Sequence, residues 1–477
     1  MRGAQRGQAL ILGLFVLVAG LAALFYLYNA SQLVREKTRL VNTADAVAYS
    51  AGVLQARLLN FTAYNNRALL ANEVLVAQLV SAAAWMPYAQ GHIQAQPTVF
   101  PECADSQGAG ASAGALYQYG PAYALMCYLS VQSGGLSSSA LAPVLPVPEV
   151  LVGVAEGAKS RIQNALREVH QQGQTDAMRQ ALMQAVADAN QGGPDRVRVE
   201  ALPDPHMAGF LRTYAGPERV RMRELAVVAS QLDPFVPNRQ WDAEALLPTP
   251  ECFPALTFDA YNAVRRRGGT ELIGMDEWRA VDTASFHQHQ LHKGKNILPS
   301  CEKAEIPLGV GEQQAHPPQA DQPDHGAWVG GAASDNPIAY AQASTAHWQH
   351  YSGLPVYTDL SPAWLSAVEP RWIQAVRLSK PQGLLRTTDG QGPWSGGAAN
   401  RLQAYSTRAA AGEWVAVSAV RVVFERPPAH PINTHGAPRG TPLETGSLFN
   451  PYWQARLVDA STQARWQALR QGVEVPW

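Results

Sequence analysis

The sequence lacks most of the motifs that announce an enzyme. It has no P-loop, no dinucleotide-binding glycine pattern, no H-E-x-x-H and no nucleophile–histidine–acid set that spacing alone assigns. Cysteine is scarce: Cys103, Cys127, Cys252 and Cys301 are the four in 477 residues. None lies in a C-x-x-C pair, which argues against a zinc ribbon or a thioredoxin-type redox site. Excess charge of either sign is also missing. A formal net charge of −1 argues against nucleic acid as a partner, since phosphate binding needs a basic surface. One long apolar stretch lacks charge and proline altogether.

That stretch is "ALILGLFVLVAGLAALFYLY", residues 9–28, lying between Arg6 and Arg35. As a helix it spans roughly 30 Å, the thickness of a bilayer's hydrocarbon, with its backbone polar groups paired internally. A cleaved secretory signal has a shorter apolar run of about 7–15 residues and a small-x-small exit. Here the exit is Phe25, Tyr26, Leu27 and Tyr28, bulky residues suited to the membrane interface. A retained anchor is therefore expected over 9–28, behind a cytoplasmic head of residues 1–8. Charge counts on the two sides do not decide orientation. A short head before a large tail favours a cytoplasmic N-terminus and an extracytoplasmic bulk.

Residues 29–86 contain no proline and a single glycine, Gly52. Alternate steps of three and four trace a mostly apolar seam through Leu40, Ala44, Val47, Ala51 and Leu54, then Leu58, Phe61, Asn65, Ala68, Asn72, Leu75 and Leu79. This pattern predicts one long packing helix, a stalk or partner helix, that Pro87 ends. Asn65 and Asn72 either set register with a partner helix or face a polar part of their own domain.

On these residues the N-terminal block resembles the Flp (Tad, type IVc) pilus-assembly proteins of the TadG-like class. The matching features are "RGQALIL" at the head of the span and "KTRLVNTADAVAYSAG" beyond it, with Asp45 where the family carries an aspartate. "ARLLNFTAYNNRALLANEVLVAQ" and the late "SLFNPYWQARL" are similar to the variant found in many Gram-negative bacteria. The resemblance implies a single-pass inner-membrane protein without enzymatic activity or cofactor. It would act by helix packing and by contact with other pilus-assembly or secretion-apparatus proteins. Two family-related readings fall away. A pilin-type cleavage site needs glutamate five positions after its glycine, but Leu12 follows Gly7 and Gln8 follows Gly3 at that distance. The D-x-S-x-S metal motif of an adhesion domain is absent from "DASTQ" at 459 and "DTASF" at 282.

Beyond the helix, residues 87–148 are rich in Ala, Gly, Ser and Pro and read as a loop-rich excursion. Its "GASAG" around Ser112 is formally a nucleophile elbow but lacks the preceding strand. An even cysteine count in an exported chain predicts two disulfides. Of three connectivities, Cys103–Cys127 and Cys252–Cys301 are favoured by proximity, with buried free thiols as the alternative.

Residues 149–477 are expected to form a mixed α+β extracytoplasmic domain. Helices are predicted at 149–172 and 175–190, and another after Pro217. Strands are predicted at 196–202, on either side of a Gly268–Gly269 turn, and at 413–427. His287 and His289 would share a strand face and, with His292 and Glu302, offer imidazole and carboxylate ligands; an exposed polar edge is the simpler reading. Arg265–Arg267 reads as a solvated turn. Trp348, Trp364, Trp372, Trp394, Trp414 and Trp453 read as core or interface anchors. A tethered hydrolase or metalloprotein and a surface adhesin stand as the alternatives to the assembly reading.

Overall fold

A computed structural model describes residues 6–99, 144–207, 209–255, 259–292, 299–318, 331–367, 369–381, 384, 413–425 and 446–470. In chain order the principal elements are α1 (Arg6–Val99), α2 (Val147–Val169), α3 (Gln172–Gln191), β1 (Arg198–Leu202), β2 (Leu211–Tyr214), α4 (Val220–Ser230), β3 (Trp241–Glu244) and β4 (Ala263–Ile273). There follow β5 (Glu277–His292), β6 (Ser300–Ala315), β7 (Thr345–Trp348), β8 (Tyr357–Leu360), β9 (Arg371–Pro381), β10 (Glu413–Phe424), β11 (Trp453–Val458) and α5 (Thr462–Arg470). The architecture is a long N-terminal apolar helix followed by mixed helix and sheet. β2 and β8 form a two-stranded sheet.

The chain divides into two compact units, Met1–Tyr64 with Leu166–Arg212 and Thr358–Trp477, and Asn65–Ala165 with Thr213–Tyr357. The region expected as one exterior domain, 149–477, is thus shared between two units, each of which also takes a length of α1.

In the first unit the sheet order is β1-β9-β10-β11, antiparallel throughout. One face carries Val376, Leu378, Val420 and Val422, packed with Leu40, Ala44, Val47, Ala51 and Leu59 of α1 and with Met183 and Ala187 of α3. The opposite face carries Ala375 and Ala419, packed with Ala464 and Ala468 of α5. Covering both faces leaves β9 buried along nearly all its length and β10 buried through Ser418–Val420.

In the second unit the sheet order is β3-β4-β5-β6-β7, antiparallel except for the parallel β6–β7 pair. Tyr88 and Ala89 of α1 pack with Val264, Ala284, Phe286 and Leu308. Cys252 and Cys301 form a disulfide with Cα atoms 5.6 Å apart; Cys103, Cys127 and Ser112 lie outside the described residues.

Three local expectations are corrected. Pro87 does not end the helix, which continues to Val99. Proline forfeits one backbone hydrogen bond, but Met86, Tyr88 and Ala89 on either side are buried, and that packing carries the helix past it. Gly268–Gly269 is no turn either. Both lie inside β4, and the reversal comes after Ile273, which pairs with Glu277. Gly268 stands opposite Asp282, whose carboxylate occupies the space a Cβ would fill. Arg265–Arg267 is accordingly strand rather than solvated turn. Arg266 pairs with Asp282 at 3.0 Å, and Arg267 with Asp242 and Asp335, each at 2.6 Å.

One buried polar cluster of the second unit centres on Glu73. Glu73 of α1 is fully buried and accepts from Tyr351 Oη at 2.7 Å and from Trp278 Nε1 at 3.4 Å. Lys159 Nζ of α2 donates to Glu73 at 3.3 Å and to the Gly353 carbonyl at 2.7 Å, and it also pairs with Glu156. Burial raises the Glu73 pKa against the opposing pull of Lys159.

Candidate functional site

The N-terminal half of α1 changes character along its length. From Leu10 to Tyr28 every side chain is exposed, from Leu10 at 77% to Tyr28 at 57%. A helix that is apolar on all sides and covered by none of the described residues needs an apolar solvent or partner. α1 is the single helix among the described residues long and apolar enough to cross a membrane.

Beyond the span, polar contacts within the first unit fasten the helix. Lys380 Nζ on β9 donates to Glu36 at 2.7 Å and to Gln191 at 3.2 Å, all three groups being buried. Arg39 donates twice to the Asn190 carbonyl at the end of α3, at 2.9 and 2.6 Å. Gln191 in turn donates to Thr43 Oγ1 at 2.7 Å. One turn on, Asp45 accepts from Ser418 Oγ of β10 at 2.7 Å.

The packing residues predicted for this stretch divide cleanly. Leu40, Ala44, Val47 and Ala51 are in the core, whereas Leu54 and Asp45 are half-buried. A Cβ on Gly52 would overlap Val420 Cγ2 and lie 3.2 Å from Ala455 Cβ, so the bare glycine sets how closely helix and sheet approach. Farther along, the seam slips. Phe61 and Leu75 are exposed, while Thr62, Asn66 and Glu73 are buried. Stepping by three and four falls behind the ~3.6-residue turn of a straight helix and drifts off the buried face.

The late "SLFNPYWQARL" segment returns to this helix within the same unit. Asn60 donates to the Trp453 carbonyl at 3.0 Å and accepts from the Trp453 N–H at 2.9 Å. Leu448, Phe449 and Trp453 are buried beside it.

Residues 7–56 match the family model for putative Flp pilus-assembly TadE/G-like proteins. The matched segment thus comprises the whole exposed span, Leu10 to Tyr28, and the length of α1 fastened by Glu36, Arg39, Thr43 and Asp45. The match associates the chain with Flp pilus assembly. No curated protein and no solved structure matches the chain.

The histidine cluster is not assembled as a ligand set. His287 is buried, with its Nε2 2.9 Å from Asn336 Oδ1. Its pKa is lowered, chiefly by burial, with Lys303 and Arg265 acting in the same direction. His289 is half-buried and His292 exposed. No group of three or more His, Cys, Asp or Glu able to hold a metal occurs among the described residues. Trp348, Trp372 and Trp453 are buried, Trp364 and Trp414 pack partly buried against the first core, and Trp394 lies outside the described residues. The Glu73–Lys159 and Arg239–Asp282 pairs, both buried, were missed by sequence reading. A glutamate inside an apolar helical run was the available signal for the first.

Proposed function

We propose that this protein is a non-enzymatic, membrane-anchored component of a Flp-type pilus-assembly apparatus. Residues 9–28 hold it in the bacterial inner membrane, with the N-terminus cytoplasmic and the bulk of the chain periplasmic. It acts through contacts with other assembly or secretion-apparatus proteins. The observation that carries this reading is the coincidence of the Tad match, residues 7–56, with the exposed apolar length of α1 and its fastened continuation. The Cys252–Cys301 disulfide supports an oxidising compartment for the second unit.

The test is a count of pili by electron microscopy on cells lacking the protein. Loss of pili restored by the wild-type gene, but not by one lacking residues 9–28, is the expected result. Unchanged piliation in the deletion strain overturns the reading. Protease protection of the second unit in intact spheroplasts would contradict the periplasmic placement.

A further inference from the structure

His316 and His347 meet at the edge of the second unit's sheet, although they lie 31 residues apart in the chain. β6 and β7 run parallel, with Gln314 opposite His347 and Ala315 opposite Trp348. The His316 N–H continues this pairing by donating to the Trp348 carbonyl at 3.0 Å. Register alone therefore brings the two imidazoles together, and His316 Nε2 lies 3.2 Å from His347 Nδ1.

The protonation of His316 follows from its other contact. Its Nδ1 is 2.9 Å from the Pro317 carbonyl oxygen. A carbonyl can only accept, so Nδ1 carries the hydrogen and the Nε2 lone pair of the neutral ring points at His347. His316 is 3% exposed, which holds that lone pair in one direction. An imidazole fixed through one nitrogen by a carbonyl, with the other nitrogen presented as a donor atom, is the arrangement of a metal-ligating histidine. The 3.2 Å contact is that of an N–H···N hydrogen bond, and an ion bound about 2.0–2.1 Å from each nitrogen requires the exposed His347 ring to turn aside so that both lone pairs meet at it.

We propose that His316 Nε2 and His347 Nδ1 form a two-imidazole site for a divalent transition-metal ion, Zn²⁺ or Cu²⁺, both of which imidazole suits. On binding, the hydrogen on His347 Nδ1 gives way to the metal and is taken up at Nε2, so the ring stays neutral. No third protein ligand completes the set among the described residues. With His347 exposed, the remaining positions go to solvent or to exogenous ligands. The ion would clamp β7, a four-residue edge strand, to β6.

The full-length protein in detergent micelles, stripped with a chelator, is titrated with Zn²⁺ by equilibrium dialysis and then loaded with Cu²⁺ for electron paramagnetic resonance. One tightly held ion per chain is expected, with hyperfine splitting from two nitrogens. His347→Ala should weaken its affinity by at least about tenfold and remove one nitrogen from the spectrum. His206→Ala, an exposed histidine of the first unit, should change neither. His347→Gln serves where alanine perturbs the edge strand, as judged by circular dichroism. No uptake by the wild type, or the same affinity and spectrum in folded His347 variants, overturns the proposal.

Discussion

Asp45 of α1 accepts a hydrogen bond from Ser418 of β10 at 2.7 Å, joining positions 373 residues apart. The aspartate that the family resemblance singles out therefore serves the fold of its own unit. Asp45→Ala should cost about 1–2 kcal/mol, as expected for a hydrogen bond to a charged acceptor. Ser418→Ala should cost a similar amount, and the double variant less than the sum. Urea unfolding measures these, and piliation of the same strains separates folding from assembly. A loss of pili in Asp45→Ala without a loss of stability would assign Asp45 a partner instead.

Gly52 tests how closely α1 approaches the sheet. Alanine is the better helix former by about 1 kcal/mol, yet its Cβ would overlap Val420. Gly52→Ala should therefore destabilise by about 1–3 kcal/mol through overpacking. Val420→Ala in the same chain should recover part of the loss. If Gly52→Ala raises the thermal midpoint, the close contact is absent.

Glu73 lies where α1, α2 and β5 share one buried polar group. Glu73→Ala leaves Lys159, Tyr351 and Trp278 without the carboxylate they contact, and should cost about 3–5 kcal/mol. Glu73→Gln keeps an acceptor for Tyr351 and should cost less. Glu73→Leu with Lys159→Met should be less damaging than either single change, because neither Glu73 nor Lys159 is then left buried without the other. Denaturant midpoints rank these variants.

His92 gives the second unit a predictable pH dependence. Burial, with a smaller contribution from Arg266, lowers its pKa to about 4 from an ordinary 6.5. Its Nδ1 sits 3.1 Å from Tyr88 Oη. The unfolded chain takes up this proton first as pH falls, so the contribution is fully present above 6.5 and declines toward pH 4. The loss should be about 2–4 kcal/mol over that window. Unfolding free energies measured between pH 7 and 4 should fall less steeply in His92→Gln. An unchanged slope would place His92 in contact with water.

Legibility followed the range of the interactions. The span, the helical run behind it and the β10 strand were readable because hydrophobic periodicity is local. Cys252–Cys301 was readable as one pairing among three. The inner face of α1 was readable only as far as Ala51, because small errors in period accumulate along a helix. The Arg265–Gly269 stretch was misread because Arg266 and Gly268 are explained by Asp282, on a neighbouring strand, and Arg267 by Asp242 and Asp335. Local signals there favour a turn, and the buried carboxylate overrides them.

By itself, the sequence determined that the chain carries a bilayer-length apolar helix, that this helix continues as a packing element, and that mixed helix and strand follow. Composition and period suffice for those conclusions, since each depends on residues within a few turns of one another. Only the tertiary structure decided which face of α1 is core, that Pro87 is tolerated, where Glu36, Glu73 and Asp282 find their cations, and that His316 meets His347. Those outcomes depend on strand register and on groups far apart in the chain, and burial makes their pairing obligatory in a way that no local pattern records.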